Sequence, residues 1–138
     1  MRTISAILTG AMLASCTAVP PAPTRTASAQ QRYEMLVAGK VPQQPMSCLP
    51  SYRANDMIRI DADTVVFRDG SSRVYVNHMQ GPCTGLADTN NALVTRQFGS
   101  PGPCSGDIAR VVDTSARMTV GSCAWGEFVP YVRPGTRA

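Results

Sequence analysis

Thr64-Val65-Val66-Phe67-Arg68-Asp69-Gly70-Ser71-Ser72-Arg73-Val74-Tyr75-Val76-Asn77 decides the fold. Two runs of β-branched and aromatic residues flank Asp69-Gly70-Ser71-Ser72, which is the pattern of a β-hairpin. A two-residue Asp69-Gly70 turn would set Phe67 opposite Ser72 and Val66 opposite Arg73. A four-residue loop, Asp69 to Ser72, sets Phe67 opposite Val74 and Val65 opposite Val76. Directly opposed residues share a sheet face, so the longer loop gathers Val65, Phe67, Val74 and Val76 on one side. Its cost is Arg68 opposite Arg73, two like charges at a solvated tip. Each apolar cross-strand pair contributes roughly 0.2–1 kcal/mol, and the expected register is the four-residue one.

The remainder of the chain is consistent with short strands. Apolar residues are 43% of the 138, enough for one core, and eleven Gly with eleven Pro favour turns over long helices. Met57–Asp61 alternates, with Ile58 and Ile60 on one face. Ala92–Phe98, Ile108–Asp113 and Cys123–Val132 read as further strands, and Pro130 places the end of the last at an edge or bulge. About six sequential strands without intervening helices predict a mainly β domain, a small antiparallel barrel or sandwich, over residues 41–133.

The N-terminal part is of another kind. Met1-Arg2 supplies positive charge and Ile4–Ala14 is an apolar run of signal-peptide length, too short to span a bilayer. It ends in Leu13-Ala14-Ser15-Cys16, which resembles a bacterial lipobox. The expectation is a signal peptide over 1–15 and lipidation at Cys16. An A-x-A site at Ala27-Ser28-Ala29 competes but lies well beyond the apolar run. By resemblance to lipoprotein sorting, the non-acidic Thr17 directs the protein to the outer membrane, facing the periplasm. Acyl chains contribute about 0.8 kcal/mol per buried CH₂, enough for stable anchoring when several are attached. Residues 16–27, with Ala18-Val19-Pro20-Pro21-Ala22-Pro23, form a tether. A short helix is expected over 28–40, with Ser28 as cap, Tyr33, Leu36 and Val37 at near-helical spacing, and Gly39 as stop.

Cys48, Cys83, Cys104 and Cys123 remain once Cys16 is lipidated. An even number in a small exported domain reads as disulfides. Three pairings are open. Gly81-Pro82-Cys83-Thr84-Gly85 and Gly102-Pro103-Cys104-Ser105-Gly106 echo each other, so Cys83–Cys104 with Cys48–Cys123 is the expected set. No C-x-x-C is present and His78 is the only histidine, so neither metal nor another cofactor is expected.

The chain resembles a family of small bacterial envelope lipoproteins catalogued only as a domain of unknown function. The likeness covers about Val41 to Tyr131. It is carried by Pro45-Met46-Ser47-Cys48, Thr64 to Gly70, Cys83-Thr84-Gly85-Leu86, Cys104-Ser105-Gly106-Asp107-Ile108 and Cys123. It implies export and the cysteine framework and brings no activity with it.

No residue set reads as catalytic. His78 has no G-x-S-x-G partner, Asp61-Ala62-Asp63 reads as a turn and not as a calcium loop, and Asp107 reads as a turn acceptor. Nothing places Asp107 near Glu127. Trp125 reads as core or rim. The net charge of +4 comes mainly from arginines without a run, which reads as a mildly basic surface and not as a nucleic-acid interface. The expected function is non-catalytic: a lipid-anchored module binding an envelope protein or cell-wall component. The alternative is a periplasmic inhibitor of a cell-wall hydrolase, of the lysozyme-inhibitor kind, plugging its target with a loop near Cys83 or Cys104.

Overall fold

A computed structural model describes residues 25–81, 83–97, 99 and 102–136. Cys16, the leader, the tether through residue 24 and Phe98 lie outside them. Helix α1 spans Ala27–Val37 and is followed by β1 (Val41–Pro42), a 3-10 turn (Ser51–Arg53) and β2 (Met57–Arg59). The hairpin is β3 (Thr64–Asp69) and β4 (Arg73–His78), and then come β5 (Asn91–Thr95), β6 (Ile108–Asp113), β7 (Met118–Ala124) and β8 (Phe128–Val132). One antiparallel sheet has the order β1-β8-β4-β3-β2 and the other β5-β6-β7. The protein is mainly β with one helix, and neither sheet closes into a barrel, so the architecture is sandwich-like. The expected strand Cys123–Val132 is two strands in different sheets, β7 and β8.

Asn77 and Gly126 build the crossing between them. The fully buried Asn77 side chain donates from Nδ2 to the Gly126 carbonyl at 2.8 Å and accepts the Gly126 N–H at 3.2 Å on Oδ1. A side chain on Gly126 would collide with the His78 carbonyl oxygen, so the backbones meet where only glycine fits. Beside this corner Gln80 and Ala124 exchange backbone hydrogen bonds of 2.7 and 2.9 Å, tying the end of β4's extension to β7.

The hairpin register differs from the expected one. Phe67 faces Tyr75, Val66 faces Val76, Val65 faces Asn77 and Asp69 faces Arg73. The loop is therefore three residues, 70–72, opening on Gly70 at φ +67°. The expectation assumed one buried face, and this hairpin has two. Val65, Phe67 and Tyr75 join Leu49, Leu86, Val111, Trp125 and Phe128 in the core between the sheets. Val66, Val74 and Val76 face the other way and form a second core with Ala29 and Ile60, against which Tyr33, Leu36 and Val37 of the helix pack. When apolar side chains are buried on both faces, collecting them on one brings no gain. The observed register also replaces the Arg68–Arg73 opposition with Asp69–Arg73, an attractive pair.

The helix is held at its start as well as along its face. Thr26, not Ser28, is the cap, accepting the Ala29 N–H at 3.3 Å on Oγ1. Arg25 pairs with Asp61, donates to Thr64 Oγ1 at 3.0 Å and stacks over the Tyr33 ring at 4.5 Å. Asp61 makes the expected turn, accepting the Asp63 and Thr64 N–H groups at 3.0 and 2.7 Å.

The cysteines pair as Cys48–Cys104 and Cys83–Cys123, which corrects the expected set. The two similar Gly-Pro-Cys loops bond to different segments. The physical reason lies in the backbone partners. Cys123 lies opposite Ala109 on β7, and its inward face meets Cys83 in the core. Leu49 donates to Pro103 at 2.9 Å and Ser105 to Ser47 at 2.6 Å, which lays Cys48 beside Cys104. The sequence separations of 56 and 40 give nearly equal closed loops, each worth about 4 kcal/mol in the chain-entropy model.

Two outcomes follow from this packing. Cys83 and Cys123 are buried whereas Cys48 is exposed, so mild reductant under native conditions should open Cys48–Cys104 first. Mass mapping after alkylation checks this; labelling of Cys83 and Cys123 at equal rate would contradict it. The second concerns helix docking. Burial, then the hydrogen bond to Tyr131, pushes the Tyr33 pKa from 10.0 up to about 12. Its contribution is complete below pH 10 and is lost as pH rises through about 12, because the unfolded chain releases that proton first. Melting temperature should fall across this window, and Tyr33→Phe should flatten the fall.

Candidate functional site

The observed register determines what stands at the hairpin tip. Asp69, Arg73 and Tyr75 share the inner sheet face with Phe67, and Pro130 and Val132 of β8 lie opposite Tyr75 and Arg73 on that same face. Further along, Phe67, Trp125 and Phe128 fill this face with ring centroids 5.7 to 6.0 Å apart. Trp125 is thus core, as the sequence suggested, and its Nε1–H donates to Thr95 Oγ1 at 3.1 Å. At the tip end the same face is hollow. A cavity of about 420 Å³ opens there, within the size range of ligand sites. Val41, Met46, Pro130 and Val132 supply apolar wall, and Gln43, Arg53, Arg73, Tyr75, Arg133 and Thr136 supply polar groups.

Tyr75 is the pivot of these groups. It is only 1% exposed and is one of the residues that line the cavity. Arg53 donates to that hydroxyl through Nη1, and Arg73 does so at 3.5 Å. Arg53 Nε is also buried and has no hydrogen-bond acceptor within reach. Its nearest carboxylate oxygen, on Asp69, is 3.6 Å away, and the same oxygen lies 3.7 Å from Arg73.

Arg133 follows β8 at the cavity rim. Its backbone N–H is bonded to Ser72, 2.9 Å away, which fixes its position against the hairpin loop. No carboxylate pairs with its guanidinium among the described residues. Its charge reaches Lys40, whose pKa is lowered first by burial and then by Arg133. Three arginines, Arg53, Arg73 and Arg133, thus line the cavity, and Asp69 lies 3.6 and 3.7 Å from the first two. A second hollow, about 440 Å³ on the outer face of the small sheet, is lined by Val94, Arg96, Gly106, Ile108 and Arg110. All of these are exposed, so no buried polar group addresses that hollow.

The residues weighed from sequence lie elsewhere. Asp107 accepts the Cys104 N–H at 2.9 Å, a local turn role. Glu127 is exposed. His78 stands near an acid, since Thr64 Oγ1 donates to Asp63 at 2.8 Å and lies 3.3 Å from His78 Nδ1. Thr64 is fully buried and its proton is committed to Asp63, so no substrate reaches that hydroxyl as a nucleophile. No group of three potential metal ligands occurs among the described residues. The arginine cluster was missed because Arg53, Arg73 and Arg133 are far apart in sequence and converge only through the β3–β4–β8 pairing. Arg73 at the hairpin tip was the one available signal.

Comparison with protein-family models, curated proteins and solved structures finds no match.

The wall chemistry has a measurable consequence. Tyr75→Phe keeps the ring and removes the acceptor of a charged donor, which should cost about 1.5–3 kcal/mol. Asp69→Asn removes only long, partly exposed ion pairs and should cost under about 1 kcal/mol. Urea unfolding of both variants checks the order; a reversed order would mean that Asp69, not Tyr75, holds Arg53 in place.

Proposed function

We propose that this chain is a lipid-anchored module of the bacterial cell envelope that binds an envelope component without catalysis, in the cavity walled by Arg53, Arg73, Tyr75 and Arg133. The observation that carries the reading is the buried Tyr75, its hydroxyl bonded by Arg53 and Arg73, in the wall of a hollow that combines apolar and polar side chains. A few buried polar groups in an apolar concavity are what ligand sites share. The wall holds arginines and a phenol hydrogen-bonded to one another, with no base beside a nucleophile, which suits recognition and not bond cleavage.

Anchoring at Cys16 draws support from the start of the domain. Arg25 and Thr26 hold the helix, and Ala29 is buried against the hairpin. Cleavage after Ala29, the competing site, would remove these contacts, whereas cleavage before Cys16 keeps them. Residues 17–24 then join the lipid to Arg25, a reach of about 30 Å at full extension. The inhibitor reading rested on the two Gly-Pro-Cys loops being joined. Their cysteines bond elsewhere, so nothing favours that geometry.

The test is made on protein extracted from envelopes. Wild type should fractionate with membranes and Cys16→Ala should not. Native mass spectrometry should find a non-covalent component on wild type that is lost from Val132→Trp, which fills the cavity. Identical spectra for the two, with both folded, would contradict binding in this cavity.

A further inference from the structure

Among the described residues, the large sheet ends at β1 and β2 and the small one at β5 and β7. A bare edge presents unpaired N–H and C=O groups to any other strand, and proteins blunt such edges with short strands, proline, bulges or charge. β1 is two residues long, and one of them is Pro42. β2 has three residues, and its Arg59 carbonyl takes an N–H of Arg32 at 3.5 Å. β7 exchanges backbone hydrogen bonds with Gln80 at Ala124, and its register against β6 shifts at Val120. β5, Asn91-Ala92-Leu93-Val94-Thr95, is five residues long with no charge, proline or glycine.

Its pairing with β6 determines which groups it leaves free. Asn90 accepts the Thr114 N–H at 3.1 Å, and β5 continues in that register with Ala92 opposite Val112 and Val94 opposite Arg110. Hydrogen-bonded and non-hydrogen-bonded pairs alternate in an antiparallel ladder. Ala92 and Val94 therefore bond to β6, and Asn91, Leu93 and Thr95 turn their backbone groups to the free edge. Arg59 takes the Asn91 carbonyl at 2.5 Å. The edge groups of Leu93 and Thr95 have no partner among the described residues, and both residues border a hollow of about 450 Å³. Leu93 packs against the inner core, so Val94 faces outward, in step with Ala92 and Arg96, and is 51% exposed. Asp88, before β5, and Arg96, after it, are exposed and ion-pair with nothing among the described residues.

We infer that β5 is a dimer joint, pairing antiparallel with β5 of a second copy of this chain about a two-fold axis at Val94. In that register Leu93 exchanges backbone hydrogen bonds with Thr95 of the second copy and Thr95 with its Leu93, so every free edge group of the two residues is matched. Val94 meets Val94 of the second copy, and two exposed apolar side chains cover each other. Arg96 falls opposite Ala92, so no like charges are opposed. Antiparallel pairing also brings the Asp88 end of one strand to the Arg96 end of the other, which sets opposite charges at both ends of the joint. A two-fold contact closes on itself and stops at two copies.

The test uses the full chain in its envelope. After mild oxidation Val94→Cys should give a band of twice the chain's mass on a non-reducing gel. Opposed residues of a non-hydrogen-bonded pair have Cα atoms about 4.5 Å apart, within the disulfide range of about 4.4–6.8 Å. Val120→Cys, also exposed but on β7, should give no such band. Val94→Lys and Val94→Asp each set like charges on the axis. Differently tagged wild-type copies should co-purify from a detergent extract, and copies of either charged variant should not. Co-expressed Val94→Lys and Val94→Asp should co-purify again. Each variant should keep the wild-type circular dichroism spectrum, since position 94 is half exposed.

Wild-type copies that do not co-purify, or Val94→Lys copies that co-purify as wild type does, overturn the joint. Equal cross-linking from Val120→Cys marks random collision and also overturns it. If wild type associates but the two charged variants do not rescue each other, the two-fold register at Val94 is overturned. A Val94→Cys product that joins this chain to a different protein overturns the second copy in favour of a foreign strand.

Discussion

Burial of the β3–β4 hairpin on both faces is the constraint on which the structure depends. A hairpin solvated on one side can slide by one residue only by exposing its core face. Here either register buries valines, so the choice falls to what else must be placed. Asn77 has to face the crossing at Gly126, where its amide satisfies the backbone. Tyr75 has to face the inner core, and Asp69 pairs with Arg73 at the tip. These polar requirements fix the register that valine matching alone left open. Helix α1 follows as a consequence, because Val66, Val74 and Val76 need a cover, and Ala29, Tyr33, Leu36 and Val37 provide it.

This explains which features could be read from the sequence. The hairpin itself, the β class, the Asp61 turn and the even set of four cysteines are local or compositional, and the strand signals in residues 57–61 and 108–113 are short but clean. The register was not legible, because alternation in Val65-Val66-Phe67 and Val74-Tyr75-Val76 is absent: continuous apolar runs mark strands buried on both faces. The helix pattern at Tyr33, Leu36 and Val37 was visible, but its partner surface was not linked to those runs. The disulfide pairing depends on which loops adjoin across two sheets. The repeat of Gly-Pro-Cys carried no such information, since similar loops need not be neighbours. The strand Met118–Ala124 was hidden by Gly121 and by polar residues that sit at the edge of the small sheet.

The candidate site was hidden for the same reason. Arg53 belongs to a 3-10 turn, Arg73 to the hairpin and Arg133 to the end of β8, and the pairing Arg73–Val132 is what brings the last two together. Their sequence spacing reads as an ordinary basic surface. Folding turns it into a cavity lined by three arginines and a buried tyrosine.

Backbone cross-strand NOEs in the hairpin test this account most directly, because the cavity exists only in the observed register. Val66 should lie opposite Val76, Phe67 opposite Tyr75 and Asp69 opposite Arg73. NOEs placing Phe67 opposite Val74 would contradict it. They would carry Tyr75 and Arg73 to the helix face and leave no polar wall for the cavity.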